Sequence, residues 1–237
     1  MNDLVLIPGL GSDETVWRKT IELLSDDYRC AVGDTLQDST LPDMAQRILA
    51  DAPDKFVLAG LSMGGMVALE IMRLAPERVA GLALIDSNAF PDTSEQAQQR
   101  VRTIETLRAG VDMRSAGQAS LAWLVHPDAS LSVKEDIVQM SIRLGVEVYI
   151  RQSEAVLNRR DQRPVLREID IPTAIIHGVN DAMIPLTRAE ETLAMISDAS
   201  LEIIHHCGHL PPIEKPAEAA TILGRLCDAV GCKADGL

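Results

Sequence analysis

Short apolar runs recur along this chain, and each is followed by a longer stretch whose apolar residues return at helical spacing. Leu4 to Ile7, Tyr28 to Val32, Phe56 to Leu61 and Val79 to Ile85 read as strands, several of them apolar on both faces and so fit for burial in a sheet covered on both sides. Between them, Val16, Trp17, Ile21, Leu23 and Leu24 recur as a helix does, with Asp13 and Thr15 offering capping oxygens near its start. Met44, Ile48 and Leu49 mark a second helix over 44–52, and Val67, Leu69, Ile71 and Met72 a third over 63–74. The strands are too far apart in sequence for hairpins, which implies parallel strands joined by right-handed crossovers. The pattern predicts an α/β fold, a doubly wound and mostly parallel sheet of about six strands.

The rhythm breaks once. Residues 90–168 carry helical stripes, Val101, Ile104 and Leu107 in one and Ile137, Met140, Leu144 and Val148 in another, but no convincing strand. Alternation resumes with a strand at Thr173 to His177, a helix from Arg188 to Ile196, a strand at Leu201 to Ile204 and a last helix from Pro216 to Val230. The expected organisation is a core made of residues 1–89 and 170–237, with 90–169 inserted as a helical cap.

A chain of 237 residues with 46% hydrophobic content can bury one large core with an inserted subdomain, but hardly two independent domains. Only 3% of residues are aromatic, so Leu, Ile, Val, Ala and nine Met must fill the interior. The net charge of −13 argues against nucleic acid as a partner, because phosphate binding needs clustered Lys and Arg. No apolar run reaches the roughly 18 residues that span a bilayer, and the opening MNDLVLIPGLG is acidic where a signal peptide is basic. A cytoplasmic protein without a membrane partner is expected. Cys30, Cys207, Cys227 and Cys232 are too scattered for a disulfide scaffold, and the spacing of Cys227 and Cys232 suits packing residues better than a zinc half-site.

The chemistry is concentrated at strand ends. Gly60-Leu61-Ser62-Met63-Gly64 lies between an apolar strand and a helix, the setting of a nucleophile elbow, where glycines let the turn close and expose the hydroxyl. A serine needs a base to take its proton and an acid to orient that base. Asp181 follows the strand ending in Ile176-His177-Gly178, and His209 follows the strand leading into His205-His206-Cys207-Gly208. Parallel strands place their carboxyl ends along one edge of the sheet, so Ser62, Asp181 and His209 can meet although far apart in sequence.

With these pieces the chain resembles the α/β-hydrolase family, through PGLGSDETVW after the first strand, GLSMGG at the elbow, HGVNDAMIP around the acid and CGHLPPIEKP around the histidine. The resemblance covers nearly everything outside the cap. It implies an oxyanion hole made of the backbone N–H groups of Leu10 and Met63, and neither metal nor organic cofactor. It also disfavours haloalkane dehalogenation, which uses a carboxylate at the position of Ser62. The chain departs from the family in opening this loop with Pro8-Gly9 rather than His-Gly, and in lacking the usual preceding hairpin.

Several residues compete for roles. Asp86 also ends a strand, where some family members carry the acid, but Asp181 is preferred, with Asp86 left to bind substrate or cap a turn. Asp34 reads as a loop residue, His205 and His206 as strand-end residues, His177 as structural, and Cys207 as a buried thiol. His126 fits a surface turn or a pocket equally well. Trp17, Trp123 and Met140 are candidates for an apolar substrate pocket, though packing accounts for each as well. Residues 90–170 hold 11 of the 22 basic residues against 12 of the 35 acids, a cap near neutrality on an acidic core. Arg143, Arg151, Arg159, Arg160 and Arg163 could thus receive an anion, although solvated helix faces explain them better.

The resulting expectation is a serine hydrolase that cleaves a small carboxylic ester, lactone or thioester through an acyl-enzyme, with a small-molecule substrate as its partner and a homo-oligomer compatible with the sequence. Two alternatives stand beside it: a carbon–carbon bond hydrolase or lyase on the same three residues, and a non-catalytic small-molecule receptor.

Overall fold

The computed structural model describes residues 2–231, so Cys232 and any pairing with Cys227 lie outside the described residues. Six parallel strands form one sheet: β1 (Asn2–Ile7), β2 (Tyr28–Val32), β3 (Phe56–Leu61), β4 (Val79–Ile85), β5 (Thr173–Gly178) and β6 (Ala199–Ile204), in the order β2-β1-β3-β4-β5-β6. β3 and β5 are buried at every position, the signature of a sheet covered on both faces. The order reverses at β1, which pairs with β2 on one side and β3 on the other, and the loops at the carboxyl ends of β1 and β3 open side by side there.

Helices cover both faces. On one lie α1 (Arg18–Leu24) and α10 (Pro216–Ala229), whose Leu24, Leu223 and Leu226 pack with Leu4, Leu6, Val57 and Ala59. On the other lie α2 (Leu41–Asp51) and α3 (Met63–Leu74), where Met44, Ile48, Val67 and Ile71 meet Val5, Ile7 and Leu58. α2 begins three residues before the sequence pattern suggests, because Thr40 caps it through the Asp43 N–H and Pro42 occupies its first turn, where a missing N–H costs nothing.

Between β4 and β5 the chain forms α4 (Ser94–Arg108), α5 (Met113–Leu124), α6 (Leu131–Leu157) and the short α7 (Arg163–Leu166). α6 is interrupted at Gly145, whose φ of 71° and ψ of 175° break the helical path. The expected stripe from Ile137 to Val148 fails there: Ile137, Met140 and Leu144 are buried, but past the break the buried positions become Ile150, Gln152, Ser153, Ala155 and Val156. Val101 likewise drops off the stripe it was assigned to, being 40% exposed while Ile104 and Leu107 are buried.

α8 (Leu186–Leu193) is shorter than the pattern over 188–196 suggests, since Ala194 already ends the helix. Among the elements that escaped sequence reading is α9 (Pro211–Glu214), a single turn that starts two residues after His209. Among the described residues no helix is long and apolar enough to cross a membrane.

Candidate active site

Ser62 stands at the apex of the turn from β3 into α3 with φ 53° and ψ −113°, a region that residues bearing a Cβ rarely enter. The turn is held by Ser62 N–H donating to the Ile85 carbonyl at 2.8 Å and Ser87 Oγ donating to the Ser62 carbonyl at 2.8 Å. It closes only because its neighbours lack side chains. A Cβ on Gly60 would sit 2.3 Å from the Gly64 carbonyl oxygen, and one on Gly64 would sit 2.2 Å from the Ile7 carbonyl oxygen.

The Ser62 Oγ lies 2.8 Å from His209 Nε2, and His209 Nδ1 lies 2.7 Å from Asp181 Oδ2. With Nδ1 donating to the carboxylate, Nε2 is the ring's acceptor and faces the serine hydroxyl. Asp181 is itself fixed by two backbone donors, Met183 N–H at 2.7 Å and Ile184 N–H at 3.1 Å, both reaching Oδ1. Burial opposes the ionisation of Asp181, but the His209 hydrogen bond and charge, with these two N–H groups, hold its carboxyl below the usual range. Burial would likewise depress His209; the hydrogen bond and charge of Asp181 raise it above an ordinary imidazole instead.

Three backbone N–H groups that donate to Glu214, the last residue of α9, frame the histidine. Its carboxylate accepts the N–H of Gly208 at 3.1 Å, of Leu210 at 3.1 Å and of His126 at 2.8 Å, joining the histidine loop to the end of α5. The His209 N–H donates to the Leu124 carbonyl at 2.9 Å. Nothing in the sequence pattern marks Glu214; the short PPIE turn that aims it backwards is the missed signal.

Leu10 lies in the loop after β1 and Met63 opens α3, and among the described residues neither N–H has a protein acceptor. Gly9 packs against the elbow, since a Cβ there would lie 3.4 Å from the Ser62 Cβ. Trp17 and Met140 are fully buried in the cluster where the inserted helices meet the core, beside Val125, Val133, Ile137 and Leu210. Trp123 is 39% exposed and is not a member of that cluster.

Asp86 is buried at the end of β4. It does not bond to His209; it accepts the Gly178 N–H and lies 3.0 Å from His177 Nδ1. The ligand atoms of Asp86, Asp181 and His209 converge within 4.8 Å, the only such group of three among the described residues, and they are already committed to the hydrogen bonds above. Asp34 accepts the Leu36 N–H in its loop, and His205 and His206 are exposed just past β6. His126 accepts the Asp128 N–H through Nδ1 and meets His206 edge-on. Cys207 is buried, and that burial first, then the Glu214 charge, pushes its thiol up.

Each of the five arginines singled out as an anion receiver is already engaged by groups of the protein. Arg143 binds Asp13 and Thr15, Arg151 the Leu36 carbonyl, Arg159 Asp92, Arg160 Glu70 and Arg163 Asp161. The near-neutral balance of residues 90–170 hides this pairing, because Arg143, Arg151 and Arg160 find their partners elsewhere in the sequence.

The family model described as alpha/beta hydrolase family matches residues 4–222. Among curated proteins, the chain is 28% identical over 248 residues to a pimeloyl-acyl-carrier-protein methyl ester esterase of Aromatoleum aromaticum, covering 93% of this chain and 96% of that one. It is also 28% identical over 246 residues to the protein of the same description from Edwardsiella ictaluri, covering 95% and 93%. A thermophilic esterase from Thermogutta terrifontis superposes with a TM-score of 0.88 at 27% identity, over 97% of this chain and 90% of that one. An enol-lactonase from Burkholderia xenovorans shares the fold, with a TM-score of 0.85 at 20% identity over 96% and 91%.

Proposed function

The chain belongs to the alpha/beta hydrolase family as an esterase-like member, and on that premise we propose that it hydrolyses carboxylic esters of small alcohols through an acyl-enzyme on Ser62. The observation that carries this reading is the unbroken line from Ser62 Oγ through His209 to Asp181, at 2.8 and 2.7 Å, on a turn that holds the serine at positive φ.

In this mechanism Ser62 Oγ attacks the ester carbonyl carbon while His209 Nε2 takes its proton. The carbonyl oxygen becomes an oxyanion facing the N–H groups of Leu10 and Met63, each such donor contributing about 2.7–4 kcal/mol to the transition state. The C–O bond then breaks as His209 returns the proton to the leaving alkoxide. Water repeats the cycle on the acyl-enzyme and releases the acid. Asp181 stays ionised throughout, orienting the ring and balancing the imidazolium.

Residues 90–169 serve as the cap of the site; Trp17, Val133 and Met140 are packed into the core where the cap meets it and hold the cap in place rather than line a substrate pocket. Trp123, 39% exposed, stays outside that packing. The relatives named as methyl ester esterases make acyl methyl esters the first substrates to try. The arginines that a carboxylate-bearing carbon–carbon substrate would recruit are engaged in internal pairs, which leaves ester cleavage the favoured reading. A cytoplasmic setting fits the scattered cysteines.

A fluorophosphonate probe with mass-spectrometric mapping, followed by methyl esters of graded chain length both free and carrier-bound, tests the proposal with wild type and Ser62→Ala. An adduct elsewhere, or undiminished turnover in the variant, would overturn it.

A further inference from the structure

One polar side chain of α6 is fully buried against the loop after β1. Gln152 is 0% exposed, and both ends of its amide are used. Oε1 accepts the Gly11 N–H at 2.8 Å, while Nε2 donates to the Thr35 carbonyl at 3.2 Å, with the Thr35 hydroxyl at 3.4 Å. The amide therefore bridges the loops that follow β1 and β2, and its orientation is set, since exchanging O and N would face donor with donor and acceptor with acceptor.

What it grips is a tight turn. Ser12 N–H donates to the Gly9 carbonyl at 3.1 Å, so residues 9–12 close a β-turn with Leu10 and Gly11 at its centre. Gly11 has φ +72° and Leu10 is not among the positive-φ residues, the combination of a type II turn. Types I and II differ by a flip of the central peptide, whose N–H belongs to Gly11. By accepting that N–H, Gln152 selects one of the two and ties the turn to α6; the Gly9–Leu10 peptide has the same direction in both types, so what Gln152 fixes for Leu10 is where the turn sits.

The preceding peptide carries the Leu10 N–H. Its carbonyl, that of Gly9, is tied to Ser12, and because the peptide is planar and trans the Leu10 N–H must point the opposite way. Other contacts from the same helix reinforce the grip. The Tyr149 ring packs where a Gly11 side chain would be, 2.8 Å from an ideal Cβ, and Arg143 binds Asp13 and Thr15 just beyond the turn.

We propose that Gln152 is a positioning residue for the oxyanion hole, anchoring the Gly9–Ser12 turn to α6 and the loop after β2 so that the Leu10 N–H stays placed toward the developing oxyanion. The inference rests on the hydrolase reading above. It makes the inserted helices part of the reaction machinery as well as a cover for substrate. The consequence is a separation of effects: loosening the turn weakens transition-state binding while leaving ground-state binding nearly untouched.

The test compares wild type, Gln152→Leu and Gln152→Glu for kcat, KM, and inhibition by a trifluoromethyl ketone matched to the best ester, which forms a hemiketal oxyanion on the serine. Gln152→Leu is expected to lower kcat and ketone affinity together by about 10- to 100-fold, with KM changed less than about threefold. Gln152→Glu keeps the acceptor for Gly11 and should recover part of the ketone affinity, provided circular dichroism shows both variants folded. If Gln152→Leu does not fold, Gln152→Glu against Gln152→Met gives the same comparison. A variant that raises KM at constant kcat, or one that binds the ketone as wild type does, overturns the proposal. Failure of wild type to label at Ser62 or to cleave any ester would instead overturn the hydrolase reading itself.

Discussion

Asp86 Oδ1 lies 3.0 Å from His177 Nδ1, both side chains are buried, and the Asp86 carboxyl comes within 4.8 Å of the facing atoms of Asp181 and His209. A second carboxyl this close to Asp181 cannot share its charged state cheaply, since two like charges in a buried site repel. Burial first, then the charge and hydrogen bond of Asp181, push the Asp86 carboxyl well above its usual range, while burial lowers His177. The consistent assignment is a neutral Asp86 beside an ionised Asp181.

The stability consequence has a definite sign. A carboxyl raised in the folded state contributes stability that is complete below its unfolded value and is lost as pH rises through the folded one. Asp86→Asn carries no such titration, so its Tm should gain on wild type as pH increases from 5 to 9, at about 2–4 °C for each kcal/mol. Thermal melts across that range check it; a constant gap, or one that reverses, would mean Asp86 is ionised.

Activity should follow His209 in the other direction. The ring must be neutral to accept the serine proton, so a pKa raised by Asp181 against the effect of burial places the acid limb of kcat/KM above the ordinary imidazole value. Asp181→Asn removes the raising interaction, and the limb should move to lower pH while kcat falls by about 10⁴. A pH–rate profile of both proteins decides the matter, an unmoved limb being the adverse result.

Glu214 is expected to matter more than its position past the histidine suggests. Truncation to Ala strands the N–H groups of Gly208, Leu210 and His126, a loss of about 2–4 kcal/mol in unfolding free energy. Urea melts should show that loss together with a fall in kcat, because the same bonds frame His209. A loss under 1 kcal/mol, with kcat intact, would remove Glu214 from this role.

Strain at the elbow predicts an inversion of the usual order. Glycine normally destabilises relative to alanine, yet at φ 53° the Cβ is the burden. Ser62→Gly should be more stable than Ser62→Ala by about 1 kcal/mol, both being inactive toward esters. Equal or reversed midpoints in denaturant would show that the turn stores no such strain.

The six strands and most flanking helices were legible because each is announced locally, by an apolar run or a helical stripe. The failures have equally local causes. Val148 left its stripe because one glycine, Gly145, resets the helical phase, and α9 was missed because a four-residue turn has no periodicity to read. Ser62, Asp181 and His209 were legible as residues at strand ends, whereas Gln152 and Glu214 look like ordinary polar residues on helices.

By itself the sequence determined the alternation of strands and helices, the glycine-flanked turn at Ser62 and the strand ends from which acid and base emerge, since these depend on neighbours a few positions apart. Tertiary structure alone decided that Asp181 faces His209 while Asp86 faces His177, that Trp17 is core and Trp123 surface, and that Arg143, Arg159 and Arg160 are paired with acids. Those outcomes rest on short-range hydrogen bonds and burial between groups as much as 130 residues apart, and no local pattern encodes which distant group arrives.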